Sequence, residues 1–265
     1  MTPRLFSFGG GVQSTAVLVL ASQGRVQYDA FVFANVGEDS EHPDTIAYLH
    51  QVAMPFAQRH NIELLELRRE TGDGKTLYQQ IQARGFMMPI PARVAPSGAP
   101  QRRICTFDFK TRVVAKELRR RGASKKNPGV VGLGISVDEF HRANNGTMVS
   151  YQTQEYPLLD LRMTRADCQR LILEAGLPMA PKSACYFCPY HNHEYWQHLR
   201  ASNPDLFDRA VDVERELNAA RQQRGMSTVY LHRSLIALED AVDGRQPGLF
   251  DAHGMDNCES GYCGV

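Results

Sequence analysis

Short unbroken apolar runs alternate with longer stretches of helical period over the first half of the chain. The runs Arg4–Phe8, Ala30–Ala34, Ile62–Leu67 and Val130–Ile135 are five or six residues long and mostly apolar. That is the pattern of strands buried on both faces. Between them, Ser14–Gln23, Pro43–His60 and Thr111–Arg121 repeat apolar residues at three- and four-residue intervals, and Thr76–Ala83 reads as a further short helix. Strand, helix, strand in that rhythm predicts an α/β fold, a Rossmann-like parallel sheet with helices on both faces, whose ligands bind at the carboxyl ends of the strands. The proline-rich stretch Gly85–Pro100 reads as a loop over that edge.

The pattern changes near residue 155. Tyr156-Pro157 opens a new segment, Thr164 stands as the N-cap of a helix over Thr164–Ala175, and Glu194–Arg200 and Asp205–Gln223 read as helices. The expected organisation is therefore a nucleotide-binding α/β domain over 1–155 and a smaller helical, cysteine-bearing region over 156–265. The last stretch, Gly254–Val265, has no helical pattern.

Composition narrows the class. With 43% hydrophobic and 22% charged residues, the chain is ordinary for a water-soluble globular protein. A net charge of +1 gives no global argument for nucleic acid. No apolar run approaches the length of a membrane span, and Met1–Gly11 lacks a signal-peptide core, so a cytoplasmic location with no membrane partner is expected. Six cysteines in such a chain point to metal or redox chemistry rather than a disulfide framework.

Five segments carry candidate chemistry. In Leu5–Thr15 a strand runs into Gly9-Gly10-Gly11 and then into a helix start, with Ser7, Gln13, Ser14 and Thr15 alongside. Glycines let backbone approach a charged ligand, and a helix start offers N–H groups and a positive dipole end, so the segment is a candidate phosphate cradle. Val32–Thr45 repeats the strand-to-helix turn and brings Asn35, Glu38 and Asp39 to the same edge, as candidates for ribose, adenine or metal. Gly132–Arg142 ends a strand in Gly134-Ile135 and delivers Asp138, Glu139 and Arg142. Carboxylates there suit Mg²⁺ carried by a triphosphate, and an arginine suits phosphate; a surface ion pair between Glu139 and Arg142 is the plainer alternative. Arg102–Thr106, with Lys110 and Arg112, surrounds Cys105 with cations that favour thiolate. Cys185-Tyr-Phe-Cys188-Pro189, with His191 and His193 behind it, suits an iron–sulfur cluster, zinc or a redox pair, and spacing alone does not choose among them. Cys168, inside a helical pattern, reads as a core residue.

Taken in order, these motifs resemble the PP-loop ATP pyrophosphatases (adenine nucleotide alpha hydrolase-like), within the phosphoadenylylsulfate (PAPS) reductase-like branch. That family opens with a strand and Ser-Gly-Gly-x-Asp-Ser. Gly10, Gly11 and Ser14 match it, while Gly9 and Gln13 replace the serine and the aspartate. Phe33–Thr45, Arg103-x-Cys105-Thr106 with Lys110, Gly134–Arg142 and Tyr156-Pro157-Leu158 are similar to the family's following segments. The resemblance implies an enzyme that cleaves ATP between its α- and β-phosphates and adenylates an acceptor for sulfur transfer, as in nucleic-acid thiolation or DNA phosphorothioation. Gly9–Thr15 would hold the phosphates, with Ser7, Asn35 and Glu38 nearby. Asp138 or Glu139 would hold Mg²⁺, and Arg142 or Lys110 would counter developing charge. It further implies a [4Fe–4S] cluster on Cys105, Cys185 and Cys188, with Cys263 or Cys258 closing the site and zinc as the competing metal. Implied partners are a sulfur donor such as a cysteine desulfurase and a DNA or tRNA acceptor. Two alternatives stand beside this: a sulfonucleotide reductase using Cys263-Gly264, and a nucleotide-binding subunit without turnover.

Overall fold

The computed structural model describes residues 2–70, 73–84, 89–143 and 149–242. From the N-terminus run β1 (Arg4–Ser7), α1 (Val12–Ser22), β2 (Ala30–Asn35), then α2 (Pro43–Tyr48) continued through a π-helical stretch (Leu49–Ala53) into α3 (Met54–Arg59), and β3 (Leu64–Arg68). Next come α4 (Leu77–Arg84), the short strands β4 (Arg93–Val94) and β5 (Ala99–Pro100), a π-helical turn (Thr106–Thr111), α5 (Arg112–Arg120) and β6 (Gly129–Leu133). A 3₁₀ helix (Val137–Arg142), β7 (Gln152–Glu155), α6 (Pro157–Asp160), α7 (Arg165–Glu174), α8 (His193–Ser202), α9 (Pro204–Gln222), β8 (Val229–Tyr230) and α10 (Leu238–Val242) complete the order.

The chain forms two compact units. One comprises the chain to Glu70 with Asp108–Ala184; the other comprises the intervening segment to Phe107 and the chain from Cys185. This grouping differs from a single cut at residue 155. Tyr156–Ala184 belongs with the first unit because Leu158 of α6 and Cys168, Leu171 and Ile172 of α7 join the apolar cluster over its sheet.

In the first unit five strands lie in the order β3-β2-β1-β6-β7, and every pairing is parallel. This is the α/β sheet the apolar runs predict. Phe6, Phe8, Phe31 and Phe33 pack with α1, α2–α3 and α7, while Leu5, Val32, Val131 and Leu133 pack with Val114 and Leu118 of α5. Successive strand residues point to opposite faces, so a continuous apolar run serves both layers. β7 escapes the sequence pattern: its residues, Gln-Thr-Gln-Glu, sit at the sheet's edge, where one-sided burial asks for no apolar run.

The chain builds outward from β1 through β2 to β3 and then resumes on the other side of β1 with β6. The connections after β1 and β6 therefore diverge at a switch point, where an open α/β sheet leaves a crevice at its carboxyl edge. Within the sheet, Gly132 of β6, paired with Phe6 of β1, makes room for Tyr28. A Cβ on Gly132 would lie 2.3 Å from the Tyr28 hydroxyl oxygen. Tyr28 sits under Arg4, whose guanidinium forks onto Glu155 at 2.7 and 2.8 Å, so this contact ties β1, β7 and the approach to β2.

The second unit packs α4 and α8 on α9, around Trp196, Phe187, Phe207 and Leu217, beside a three-stranded antiparallel sheet in the order β5-β4-β8. The stretch expected as a loop over Gly85–Pro100 thus contains β4 and β5; residues 85–88 lie outside the described residues. So does Gly254–Val265 with Cys258 and Cys263. Glu214 of α9 is buried and accepts the backbone N–H of Leu231 at 2.6 Å and of Leu238 at 2.8 Å, fastening the segment between β8 and α10. Burial pushes its carboxyl up to about 7, with the two N–H bonds acting against the shift. Among the described residues no helix is long and apolar enough to cross a membrane.

Two outcomes follow from this packing. Gly132→Ala should lower stability by about 1–3 kcal/mol in urea unfolding, because the methyl overpacks against Tyr28, and Tyr28→Ala in the same chain should recover part of that stability. An unshifted midpoint would contradict the contact. Glu214 binds its proton more tightly folded than unfolded, so its contribution is fully present below about pH 4.5 and is lost as pH rises through about 7. The wild type should gain roughly 3 kcal/mol from this group between pH 8 and pH 4.5 relative to Glu214→Gln, and parallel pH profiles for the two would refute it.

Candidate functional site

The crevice is built around the turn after β1. Gly10 adopts φ +80°, and a Cβ there would lie 3.0 Å from Thr45 Cγ2 and 3.3 Å from Phe33 Cε2. Backbone conformation favours glycine here, and the space above it is tight. The Ser183 hydroxyl donates to the Gly9 carbonyl, and its Cβ comes within 3.4 Å of the position a Gly11 Cβ would take. Gly11 is the N-cap of α1; Ser14 Oγ accepts its N–H at 3.1 Å and donates to its carbonyl at 3.0 Å. No carboxylate stands in the first turn of α1, so its positive end is not neutralised from within. Gly134, just past β6, lets that strand end approach the helix start: a Cβ on it would lie 3.3 Å from Ser14 N.

Gln13, where the resembled family carries aspartate, accepts from Arg165 Nη1 at 3.2 Å. The backbone N–H of Arg165 in turn donates to Asp138 Oδ2, which also takes the Ser136 hydroxyl at 3.4 Å. The start of α7 thus links the loop after β1 to the loop after β6. Thr164 caps that helix as its sequence predicts, accepting from the Asp167 N–H at 3.1 Å. Asp138 is solvent-exposed, and among the described residues no hydrogen bond engages its Oδ1. Glu139 and Arg142 form an ion pair at 2.6 Å with both side chains 8% exposed, so this is a buried pair rather than a surface one. Burial raises the Glu139 carboxyl above its ordinary range, against the pull of Arg142.

At the end of β2, Asn35 is buried and works inside the protein: its Oδ1 accepts from Gly37 N at 2.7 Å and its amide donates to Glu66. Glu66 also meets His50 Nε2 at 2.7 Å. Burial opposes its ionisation, but the bonds from His50 and Asn35 outweigh that and hold it below its usual range. Glu38 is exposed and receives Arg68 at 2.7 Å. Lys110 Nζ lies 3.5 Å from Oε1 of Glu41, which is fully buried. Ser7 is half-buried at the end of β1, and Thr15 is fully buried in α1, one residue behind Ser14. The first unit therefore gathers Gly9–Ser14, Asp138, Glu139 and Arg142 at the switch point, and turns Asn35 and Thr15 inward.

The candidate metal ligands lie in the second unit. Cys105, Cys185 and Cys188 are half-buried thiols, not disulfides. The turn after Cys185 is closed by Cys188 N on the Cys185 carbonyl at 3.1 Å, and His191 Nε2 meets that carbonyl at 2.8 Å while its ring stacks on Tyr195. His193 Nδ1 meets His232 Nε2 at 3.2 Å. Among the described residues no group of three or more His, Cys, Asp or Glu side chains stands where it could hold a metal ion. Among the described residues Cys105, Cys185 and Cys188 do not form such a group, nor do these cysteines with His191 and His193. Cys263 lies outside the described residues. Cys168 is a core residue, its thiol pushed up to about 12 by burial.

Sequence reasoning missed Thr45, Arg165, Ser183 and Glu41. Thr45 and Glu41 stand in the very segment singled out for Asn35 and Glu38, and the helix-cap signal at Thr164 marked the position of Arg165. Ser183 lies in a segment without regular structure, and nothing in its neighbours announces a contact with a glycine loop 174 residues away.

No family model and no curated protein matches the chain. Among solved structures it is similar to the crystal structure of phosphoadenylyl-sulfate (PAPS) reductase from Candida auris in its phosphate complex, at 14% identity and TM-score 0.43 over 67% of this chain and 75% of that one. It is also similar to the U34-tRNA thiolase NcsA from Methanococcus maripaludis with its [4Fe–4S] cluster, at 13% identity and TM-score 0.42 over 82% of this chain and 72% of that one.

Proposed function

We propose that the first unit binds ATP at the switch point and cleaves it between the α- and β-phosphates, adenylating an acceptor oxygen that sulfur then replaces. The observation that carries this reading is the turn at Gly10. A left-handed glycine lying close under Thr45 and Phe33 leads into a helix start with no carboxylate in its first turn, at the crevice where open α/β sheets take their ligands. Backbone N–H groups of Gly9–Ser14 hold the phosphates, apart from that of Gly11, which Ser14 Oγ takes. Mg²⁺, carried by the triphosphate, supplies charge neutralisation; Asp138 fits it through Oδ1, since Oδ2 is committed to the start of α7. Glu139 holds Arg142 from one side, leaving the guanidinium's other donors to meet negative charge developing on the leaving pyrophosphate. Lys110, held by the buried Glu41, is the second cation of the site.

The acceptor's oxygen attacks the α-phosphorus and pyrophosphate leaves. A sulfur nucleophile at the hydrosulfide level then attacks the acceptor atom, and AMP leaves carrying the acceptor oxygen; where a donor such as a cysteine desulfurase supplies the sulfur as a persulfide, a dithiol reductant releases it as hydrosulfide and is itself oxidised to a disulfide. An acceptor in tRNA or in a DNA phosphorothioation system belongs to this proposal, as does the cytoplasmic location.

Gln13 favours a second reading, a nucleotide-binding subunit without turnover, because a neutral amide held by Arg165 stands where the resembled family has a carboxylate. One experiment separates the two. ATP binding by equilibrium dialysis and product analysis with labelled ATP should give a binding loss of at least about tenfold for Gly10→Ala, a change of about 1.4 kcal/mol, with AMP and pyrophosphate as the wild-type products. Binding without products would replace catalysis by the second reading. ADP and phosphate as products, or ATP binding unchanged in Gly10→Ala, would overturn the proposed site.

A further inference from the structure

After α7, residues 177–184 run without regular secondary structure beside the glycine loop of the first unit. Their sequence, Leu-Pro-Met-Ala-Pro-Lys-Ser-Ala, fixes φ at two prolines, and Leu177 and Ala180 are buried in the apolar layer that α7 joins. Hydrogen bonds fasten this strap at three places. The Tyr48 hydroxyl donates to the Pro178 carbonyl at 3.0 Å, the Ser183 hydroxyl donates to the Gly9 carbonyl, and the His42 N–H donates to the Ala184 carbonyl at 3.2 Å. His42 and Tyr48 are the N-cap and the last residue of α2, the helix whose Thr45 lies over Gly10.

Ser183 is the strap residue that meets the glycine loop. Its Oγ lies 3.8 Å from the position of a Gly10 Cβ, and its Cβ lies 3.4 Å from that of a Gly11 Cβ. A serine hydroxyl has one proton to donate. Here that proton goes to the Gly9 carbonyl and is not offered to a ligand, so the effect of Ser183 falls on the Gly9–Gly10 peptide. This peptide is trans, and in a trans peptide the carbonyl and the following N–H point to opposite sides. Holding the Gly9 carbonyl toward Ser183 therefore turns the Gly10 N–H away from it. Gly10 is buried, and among the described residues its N–H has no hydrogen-bond partner. Native proteins rarely leave a buried N–H in that condition without a ligand or water to meet it. The next N–H, of Gly11, is already taken by Ser14 Oγ at 3.1 Å.

Two glycines in succession let this peptide turn over, since neither carries a Cβ to oppose it. A half-turn would take Gly10 φ from +80° to about −100°, on the side of φ that all residues adopt. It would also put the Gly9 carbonyl oxygen where the Gly10 N–H now stands, and a carbonyl oxygen there repels an anion. We propose that Ser183 is a positioning residue for the phosphate cradle: its hydroxyl holds the Gly9–Gly10 peptide in the orientation that presents the Gly10 N–H to a phosphate. The proposal rests on the reading of the loop as a nucleotide site and adds that its anion-receiving state is set by a residue 174 positions away.

The test joins two measurements on the full chain. In a crystal structure of ligand-free Ser183→Ala, the Gly9 carbonyl should be turned over and Gly10 φ should be negative. By equilibrium dialysis, Ser183→Ala should bind Mg-ATP at least about tenfold more weakly than the wild type, as expected for the loss of one hydrogen bond to a charged group. Tyr48→Phe removes a strap bond of the same kind but leaves the Gly9 carbonyl alone, and should bind within about twofold of the wild type. A hydroxyl that only stabilises the fold would lower the melting temperature and leave the peptide orientation and the affinity unchanged. Gly10 φ staying near +80° in Ser183→Ala, an unchanged affinity in that variant, or equal losses in both variants would overturn the inference. No ATP binding by the wild type would instead overturn the reading of the site as one for ATP; the Gly9–Gly10 orientation in Ser183→Ala then still decides whether Ser183 sets the loop.

Discussion

The carboxyl edge of the first unit depends on the absence of a side chain at Gly10. The chain must leave β1, turn through a left-handed conformation and enter α1 within four residues, under Thr45 and Phe33 at 3.0 and 3.3 Å. A Cβ there would take a strained left-handed backbone and force the Thr45 and Phe33 side chains to give by a few tenths of an ångström. Phe33 also belongs to the apolar layer over that face, so the turn and the core are one piece of packing. From that turn follow the direction of α1, the closeness of Gly134 to its first turn, and the distance over which Gln13 reaches Arg165.

A second constraint acts through charge. The residues at this edge are held by partners of opposite sign or by backbone N–H groups: Glu139 by Arg142, Lys110 by Glu41, Asp138 by the start of α7. Buried or partly buried pairs of this kind contribute little net stability but hold side chains in one geometry. The edge is therefore preorganised, with the charges fixed before any ligand arrives.

The sheet was legible in the sequence because strands buried on both faces write themselves as unbroken apolar runs, and β1, β2, β3 and β6 fall where Arg4–Phe8, Ala30–Ala34, Ile62–Leu67 and Val130–Ile135 predict. β7, β4, β5 and β8 were not legible: an edge strand of Gln-Thr-Gln-Glu and two-residue strands carry too few positions for any period. The glycine loop and the cap at Thr164 were readable because local backbone chemistry dictates their residues. Ser183 and the Glu41–Lys110 pair were not, because tertiary contacts made across 174 and 69 residues leave no local trace. The grouping of Cys105 with the chain from Cys185 onward, apart from the parallel sheet, depends on an excursion between β3 and α5 that helix and strand periods do not reveal.

The central claim is that the backbone of Gly9–Ser14 receives the phosphates of a nucleotide. The most direct measurement is a crystal structure of the protein with Mg²⁺ and α,β-methylene-ATP, whose α–β bridge resists cleavage. The account predicts triphosphate density against the N–H groups of Gly9–Ser14, with the metal beside Asp138 Oδ1. A nucleotide bound elsewhere on the protein, with the Gly10 turn empty at saturating ligand, would contradict it.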